Sequence, residues 1–388
     1  MESDLILRAI SAIGLLMMLL LAWLLSENRA LPKARLLLWG VGLQVLLGLL
    51  ILRTPFGAPF FDTVRAGFEL ITAASNEGAK FLFGNLTQFF LLDSALVPGP
   101  EGMQRVDSFA ISAVVAFRVL PTIIFVASLA AVLQHIGVVQ LLVGGIAKVM
   151  RYTLRTSGAE TFGAALLIFL GIEGISAEPG HLLAASLMSA PAAIVIAKLM
   201  VPERETPATA GGLSIKLPRE SHNIFDAASR GASLGLQMAL SVGAMLIVFI
   251  GFIYLADLAA LSVTGYTLNA MLGWFFRPFA FLLGVPWADI PKVGELLATK
   301  TIFNEFIAYQ QMQPLIEGQV ISPRAITIST YALCGFANPG SLGIMIGALA
   351  AMIPERRSEV AQMAFRALIA GTLAAFTTAC VAGILVEA

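Results

Sequence analysis

The stretch that decides the fold class is residues 5–25, LILRAISAIGLLMMLLLAWLL, whose only charged residue is Arg8. A helix needs about 20 apolar residues to cross a hydrocarbon core about 30 Å thick, and this run has that length. Polar residues follow it directly, and no small-residue cleavage pattern is present. We therefore interpret it as a retained membrane span and not as a signal peptide.

The composition of the whole chain agrees with a membrane protein. Charged residues make up 12% of the 388 residues, against about 25% in ordinary soluble domains. So little charge could not cover a soluble protein of this size, which predicts an all-α, polytopic membrane protein embedded in a lipid bilayer. The 24 basic and 24 acidic residues balance, so the sequence shows no electrostatic footprint for nucleic acid and none is predicted as a partner.

The distribution of basic residues predicts the orientation. Arg29, Lys33 and Arg35 follow the first span, and Arg356 and Arg357 precede the last one, after which no Lys or Arg occurs. Since cytoplasmic loops carry the excess of positive charge, both termini are predicted to lie outside the cytoplasm.

Further apolar runs predict the other crossings. Residues 109–133 form a candidate span with Pro121 in its middle, whereas residues 60–83 alternate charged and apolar positions as an interfacial amphipathic helix does. The remaining predicted spans cover residues 36–52, 182–200, 234–255 and 365–386.

Two interrupted segments suggest an internal repeat. Residues 157–171 are too short to cross, and residues 290–307 carry several charged and polar side chains, so both are read as arms of re-entrant hairpins. Such paired interruptions are typical of transporters built from inverted repeats. The predicted organisation is an N-terminal scaffold with the interfacial helix (1–108), a first repeat with a shortened hairpin (109–201), a cytoplasmic linker (202–223) and a second repeat with hairpin and broken helix (224–388).

The second repeat holds the clearest candidate site. Glu305 is an ionisable residue at membrane depth, which makes it functional by default, and Asn304 beside it adds hydrogen-bonding capacity. In the sequence from Cys334 to Ser341, Asn338 and Pro339 interrupt an apolar run, so we expect the helix to be broken there. This places Asn338, Ser341 and the ring of Phe336 around one opening. Hydroxyl-binding groups beside an aromatic ring suit a sugar with an attached flat base.

These segments resemble a known family. The stretches NEFIAY (304–309), CGFAN (334–338) and AFRVLPTIIF (116–125) are similar to signature segments of the concentrative nucleoside transporters. The resemblance implies that Glu305 and Asn338 bind ribose hydroxyls, that Ser341 serves the far end of the ribose and that Phe336 packs near the base. It also implies cation-coupled nucleoside import by an elevator-like mechanism, a homotrimer in the bacterial inner membrane, and no bound cofactor.

The first hairpin departs from the family pattern. Relative to the family pattern, about one hairpin arm and one transmembrane helix are expected to be missing after Glu173, and Ile172 stands where the family has a base-reading glutamine. Glu173 is kept as a candidate substrate-binding residue. Because the family's sodium-binding asparagine aligns with Leu167, no metal ligand is carried over, and the coupling ion is expected to be sodium or a proton taken up by Glu173 or Glu305.

Two alternatives to an active transporter stay open. The shortened hairpin could leave a family member that no longer transports. A membrane-embedded enzyme is the other class, but no nucleophile with an adjacent base is apparent, and the three histidines, His135, His181 and His222, are scattered. The chain is therefore not predicted to be an enzyme.

Overall fold

The computed structural model describes residues 2–29, 34–87, 90–99, 102–111, 116–117, 120–138, 179–202, 221–335, 337–342, 346 and 354–387. Most of these residues are helical, which confirms the predicted fold class. The helices are α1 Glu2–Leu24, α2 Ala34–Leu52, α3 Gly57–Phe83, α4 Leu120–His135, α5 Pro179–Met200, α6 Ile224–Thr264, α7 Leu268–Leu282, α8 Ile290–Ile302, α9 Glu305–Glu317, α10 Pro323–Leu333 and α11 Arg357–Leu385.

The chain divides into two compact units. The first unit comprises Met1–Arg65, Leu141–Leu217 and Phe249–Ala388, and it contains the candidate site of the second repeat. The second unit comprises Ala66–Gln140 and Pro218–Val248.

Four of the predicted spans are confirmed as helices. Among the described residues, four helices are long and apolar enough to cross a membrane, and each coincides with a predicted span. A fifth predicted span, residues 234–255, lies within the long helix α6. The four are Asp4–Leu24, Ala34–Leu52, Gly180–Met200 and Arg357–Leu385.

A buried polar cluster joins three of these spans in the first unit. Thr378 of α11 is fully buried, and its Oγ1 accepts a hydrogen bond of 2.9 Å from Gln44 Nε2 of α2. Ser189 Oγ of α5 lies 3.2 Å from the same oxygen. Helices in lipid gain little from the hydrophobic effect on associating, so hydrogen bonds of this kind and close packing hold them together.

Close backbone contact accompanies these hydrogen bonds. A Cβ at Gly14 of α1 would lie 1.9 Å from the carbonyl oxygen of Leu282, so only glycine allows α1 to approach the end of α7. Small residues at such contacts let backbones come near one another.

Arg324, at the start of α10, binds the ends of other helices in the first unit. Its side chain is 1% exposed and donates to three carbonyl oxygens: Gly284 at 2.9 Å, Val386 at 2.7 Å and Gly383 at 2.7 Å. The last two belong to the C-terminal end of α11, where the helix dipole favours a cation. The guanidinium therefore links α10 to the ends of α7 and α11.

Residues 90–111 differ from the predicted arrangement. Instead of helix, β1 (Phe90–Gly99) pairs antiparallel with β2 (Gly102–Ile111), with Gly99 opposite Gly102. Among the described residues, this hairpin is the exception to the helical fold.

The prediction of a span at 109–133 placed the beginning of the helix too early. Residues up to Ile111 belong to β2, and the helix α4 runs from Leu120 to His135. Pro121 accordingly stands in the first turn of α4 and not in its middle. A proline is tolerated in the first turn because the N–H that it lacks has no intrahelical partner there.

Two other predictions concern residues 60–83 and residues 157–171. The predicted amphipathic segment, residues 60–83, is contained in α3, so its helical character is confirmed, while its position at the membrane surface stays a prediction. The first re-entrant hairpin, residues 157–171, lies outside the described residues.

Candidate functional site

The predicted hairpin of the second repeat is a pair of helices. Helix α8 ends at Ile302, α9 begins at Glu305, and Phe303 and Asn304 make the turn between them. Asn304 caps α9, because its Oδ1 accepts a hydrogen bond of 2.8 Å from the backbone N–H of Ile307. Glu305 is thus the first residue of a helix, where the partial positive charge of the helix dipole stabilises a carboxylate.

The helix after the hairpin is broken, as predicted, but the break begins earlier. Helix α10 ends at Leu333, and helical structure resumes at Pro339. We expected Asn338 and Pro339 to unwind the helix, and instead they start its second part. Asn338 Oδ1 accepts from the N–H of Ser341 at 2.8 Å, and Ser341 Oγ accepts from the N–H of Asn338 at 3.2 Å. Such a reciprocal cap, with proline in the first turn, favours a helix start.

The structure brings together the two residues predicted to bind ribose hydroxyls. Asn338 Nδ2 donates a hydrogen bond of 2.8 Å to Glu305 Oε2. Both side chains are buried, Asn338 at 3% and Glu305 at 9% exposure. No other side chain in the described part of the chain donates to this carboxylate. The hydrogen bond therefore orients Glu305 and leaves it with acceptor capacity for a ligand.

Of the other predicted site residues, two lie in the described part of the chain and have hydrogen-bond partners there. Asn304 uses its oxygen for the cap, so its NH2 group is what it could offer a ligand. Ser341 donates from Oγ to the carbonyl oxygen of Asn338 at 2.8 Å and lies in the same turn. Phe336 and Glu173 lie outside the described residues.

Sequence reasoning missed the role of Lys300, which it treated only as a polar interruption of the hairpin. Lys300 is fully buried, and its Nζ donates to the carbonyl oxygen of Ala332 at 3.0 Å. The ring centroid of Phe376 lies 5.7 Å from Nζ, and Glu305 interacts with the ammonium electrostatically. The signal was available, because an ionisable residue at membrane depth is a functional candidate whose partner should be sought.

The second arm of the hairpin also contacts the end of α10. Tyr309 of α9 is buried, and its hydroxyl donates to the carbonyl oxygen of Thr330 at 2.7 Å. Thr330 O also accepts from the N–H of Cys334 at 3.2 Å, and donors from elsewhere in the chain commonly bind the carbonyl oxygens at the end of a helix. Lys300 and Tyr309 each supply one, and the two arms of the hairpin are joined to the broken helix that carries Asn338.

Metal-binding clusters are not found in the parts of the chain that the structure describes. No group of three His, Cys, Asp or Glu side chains is close enough there to hold an ion. The polar groups around Glu305 are amides, a hydroxyl and an ammonium, which are hydrogen-bond donors for hydroxyl and carbonyl groups.

Comparison with known proteins gives two family matches. Residues 181–383 match the model described as Na+ dependent nucleoside transporter C-terminus, and residues 13–86 match the corresponding N-terminus. The first of these matches contains Lys300, Glu305 and Asn338.

Individual relatives agree with these matches. Solute carrier family 28 member 3 of Mus musculus is 35% identical over 96% of this chain, and the chain spans 58% of the length of that protein. Nucleoside permease NupC of Helicobacter pylori is 31% identical, with 97% of each protein covered. The structure of CNTnw in an inward-facing substrate-bound state is similar with a TM-score of 0.84 and 31% identity, covering 98% of both chains.

The alignment with the H. pylori protein also bears on chain length. It extends over 424 residues, whereas this chain has 388. The relative therefore contains residues that have no counterpart here; that they belong to the first hairpin stays a prediction.

Proposed function

Because this chain belongs to the concentrative, Na+ dependent nucleoside transporter family, we propose that it moves nucleosides across a membrane together with a cation. Its relatives are transporters and not enzymes, and they agree with the four apolar helices in indicating a multi-pass membrane protein. The activity, the substrate and the coupling ion of this chain belong to the proposal.

One observation carries the proposal, namely the hydrogen bond of 2.8 Å between Asn338 Nδ2 and Glu305 Oε2. A ribose ring presents adjacent hydroxyl groups that both donate and accept. A buried carboxylate accepts from one hydroxyl, and a neighbouring amide can pair with the next, so the two side chains complement a vicinal diol. Hydrogen bonds to a charged acceptor are about twice as strong as neutral ones, which favours Glu305 as the anchor.

The rest of the binding site is proposed from the family resemblance. Phe336 packs near the base, and Ser341 and Asn304 contribute polar contacts at the edge of the ribose. Glu173, which departs from the family pattern, is proposed as a further substrate-binding residue. Nucleosides with either a purine or a pyrimidine base fit this description.

Sodium is the coupling ion that the family description favours, and a proton taken up by Glu305 or Glu173 is the other option. The proposed direction is import, through an elevator-like movement of the second-repeat site across the membrane. A homotrimer in the bacterial inner membrane, with both termini outside the cytoplasm, completes the proposal.

Transport into proteoliposomes tests the proposal directly. Purified protein is reconstituted, and uptake of labelled uridine and adenosine is followed under an imposed sodium gradient, an imposed proton gradient or neither. Accumulation that depends on one gradient is expected. Absence of uptake under every gradient, in vesicles shown to contain folded protein, contradicts it.

A second candidate function rests on the length of the chain. The relatives contain residues without a counterpart here, so this member could bind nucleosides without transporting them. Uridine binding to the purified protein, measured by calorimetry alongside the uptake assay, separates the two: binding without uptake supports the transport-deficient alternative.

A further inference from the structure

The broken end of α10 has the features of a cation site. In transporters with discontinuous helices, carbonyl oxygens at the C-terminal end of a half-helix commonly coordinate the coupling ion. Helix α10 ends at Leu333, and the last carbonyl oxygens of a helix have no N–H partner within it; Thr330 O still accepts from the N–H of the C-cap residue, Cys334. The carbonyl oxygens at this end also carry the partial negative charge of the helix dipole.

In this chain a lysine stands at that position. Lys300 belongs to α8, the first arm of the hairpin in the second repeat. Its Nζ donates to Ala332 O, at the end of α10, at 3.0 Å. The side chain is fully buried, so the ammonium is not solvated by bulk water. Its remaining surroundings are those of a bound cation, with the Phe376 ring at 5.7 Å and the Glu305 carboxylate acting on it through space.

The backbone after α10 passes beside the ammonium. Gly335 follows the end of α10 with a φ of +153°, a conformation that other residues rarely adopt. A Cβ built on Gly335 would lie 4.0 Å from Lys300 Nζ, so this segment of the break passes directly beside the ammonium.

We propose that Lys300 is a tethered cation, which occupies the end of α10 in place of an exchangeable coupling ion. The inference rests on the proposed function and specifies its ion requirement. Lys300 and Glu305 carry opposite charges, so the second-repeat site is electrically balanced before a neutral nucleoside enters. Tyr309 donates to Thr330 O and Lys300 donates to Ala332 O, so we expect these two carbonyl oxygens not to coordinate a free cation. Any coupling ion binds elsewhere.

Two substitutions test this assignment. Lys300→Ala removes the ammonium and leaves space for a small free cation, whereas Lys300→Met fills much of the space with apolar atoms. Uridine affinity is measured by calorimetry at fixed sodium concentration while methylammonium chloride is added, with tetramethylammonium chloride as a control for ionic strength that has no N–H donor.

The tethered cation predicts a specific pattern. We expect Lys300→Ala to bind uridine about tenfold more weakly than wild type or worse, because Glu305 and Ala332 O lose a charged partner. Methylammonium should restore most of this affinity in Lys300→Ala, and should change neither wild type nor Lys300→Met. The proposal is overturned if Lys300→Ala binds uridine as tightly as wild type does in the absence of methylammonium. It is also overturned if methylammonium restores the uridine affinity of Lys300→Ala and Lys300→Met equally.

Thermal unfolding provides a readout that needs no uridine. A cation that binds only the folded protein raises its Tm. Methylammonium should therefore raise the Tm of Lys300→Ala and leave that of wild type unchanged. If wild type fails to bind or transport uridine while this difference is observed, the proposed substrate is wrong and the cation assignment stands.

A third variant covers the case in which Lys300→Ala does not fold. Lys300→Gln keeps a donor for Ala332 O but has no charge. The proposal predicts weaker uridine binding in this variant and no rescue by methylammonium. Wild-type affinity in Lys300→Gln would show that a neutral hydrogen bond is sufficient, and would overturn the assignment of Lys300 as a cation.

Discussion

Asn338 and Glu305 are 33 positions apart in the sequence, and they are joined by a buried hydrogen bond of 2.8 Å. Each stands at the beginning of a helix: Glu305 is the first residue of α9, and Asn338 caps the helical turn that starts at Pro339. Two helix N-termini therefore meet at one carboxylate. Their partial positive charges and the Asn338 amide stabilise Glu305 in a buried position.

Replacing Asn338 by Ala is expected to weaken uridine binding at least about tenfold, since a hydrogen bond to a charged group contributes roughly 1.5–3 kcal/mol. The variant loses the donor that orients Glu305 as well as a proposed ribose contact. Calorimetric titration with uridine measures the change. Asn223→Ala is a matched control, because Asn223 is exposed and caps α6 through the N–H of Asp226 at 2.9 Å. If the two variants bind uridine with equal affinity, Asn338 is not part of the binding site.

Phe336→Ala tests whether the ligand has a stacked base. Stacking of a base on an aromatic ring contributes about 1–3 kcal/mol, so the affinity for uridine should fall about tenfold. The affinity for free ribose should change little. Competition binding with both ligands gives the two values, and similar losses for uridine and ribose would assign Phe336 to packing.

Arg324→Met is expected to lower the free energy of unfolding by about 3 kcal/mol or more, because three buried carbonyl oxygens lose a charged donor. Thermal unfolding in detergent should show a clear fall in Tm. Arg356→Ala is the control: Arg356 forms an exposed ion pair with Glu359, and such pairs contribute about 0–1 kcal/mol. A Tm of Arg324→Met equal to that of the control would show that the guanidinium does not hold the ends of α7 and α11.

Labelling of introduced cysteines tests the orientation. Asn28 is exposed after α1, and Glu387 lies beyond α11, while the native Cys334 and Cys380 are buried. With both termini outside, an impermeant maleimide should label Glu387→Cys in intact cells and reach Asn28→Cys only after permeabilisation. Labelling of Asn28→Cys in intact cells would contradict the orientation, which depends on the basic residues after the first span.

The parts of the structure that follow from local pattern were predictable. Long apolar runs identified the four spanning helices, and the polar residues within 290–307 identified a hairpin, which in the structure is the pair α8 and α9. The sequence also indicated Glu305 and Asn338, because polar residues inside apolar segments are unusual. That both bind the same ligand is what the family resemblance implies, and their direct hydrogen bond was not predicted.

Features that depend on contacts between distant segments were not predictable. Lys300 is distinguished by the carbonyl oxygen of Ala332, which is 32 residues away. Arg324 has partners as far along the chain as Val386. Nothing in the residues near either side chain indicates these partners. The start of α4 was misjudged for a local reason, since a proline within an apolar run is compatible both with a kink and with a first turn.

The central claim is that Glu305 accepts a hydrogen bond from a ribose hydroxyl, and a double-mutant cycle tests it most directly. Wild type and Glu305→Gln are each titrated with uridine and with 3′-deoxyuridine. Each single change should weaken binding about tenfold, because it removes a charge-assisted hydrogen bond or one of its partners. The two changes together should cost little more than one alone, since they affect the same contact. Full affinity of Glu305→Gln, or losses that add independently, would contradict the account.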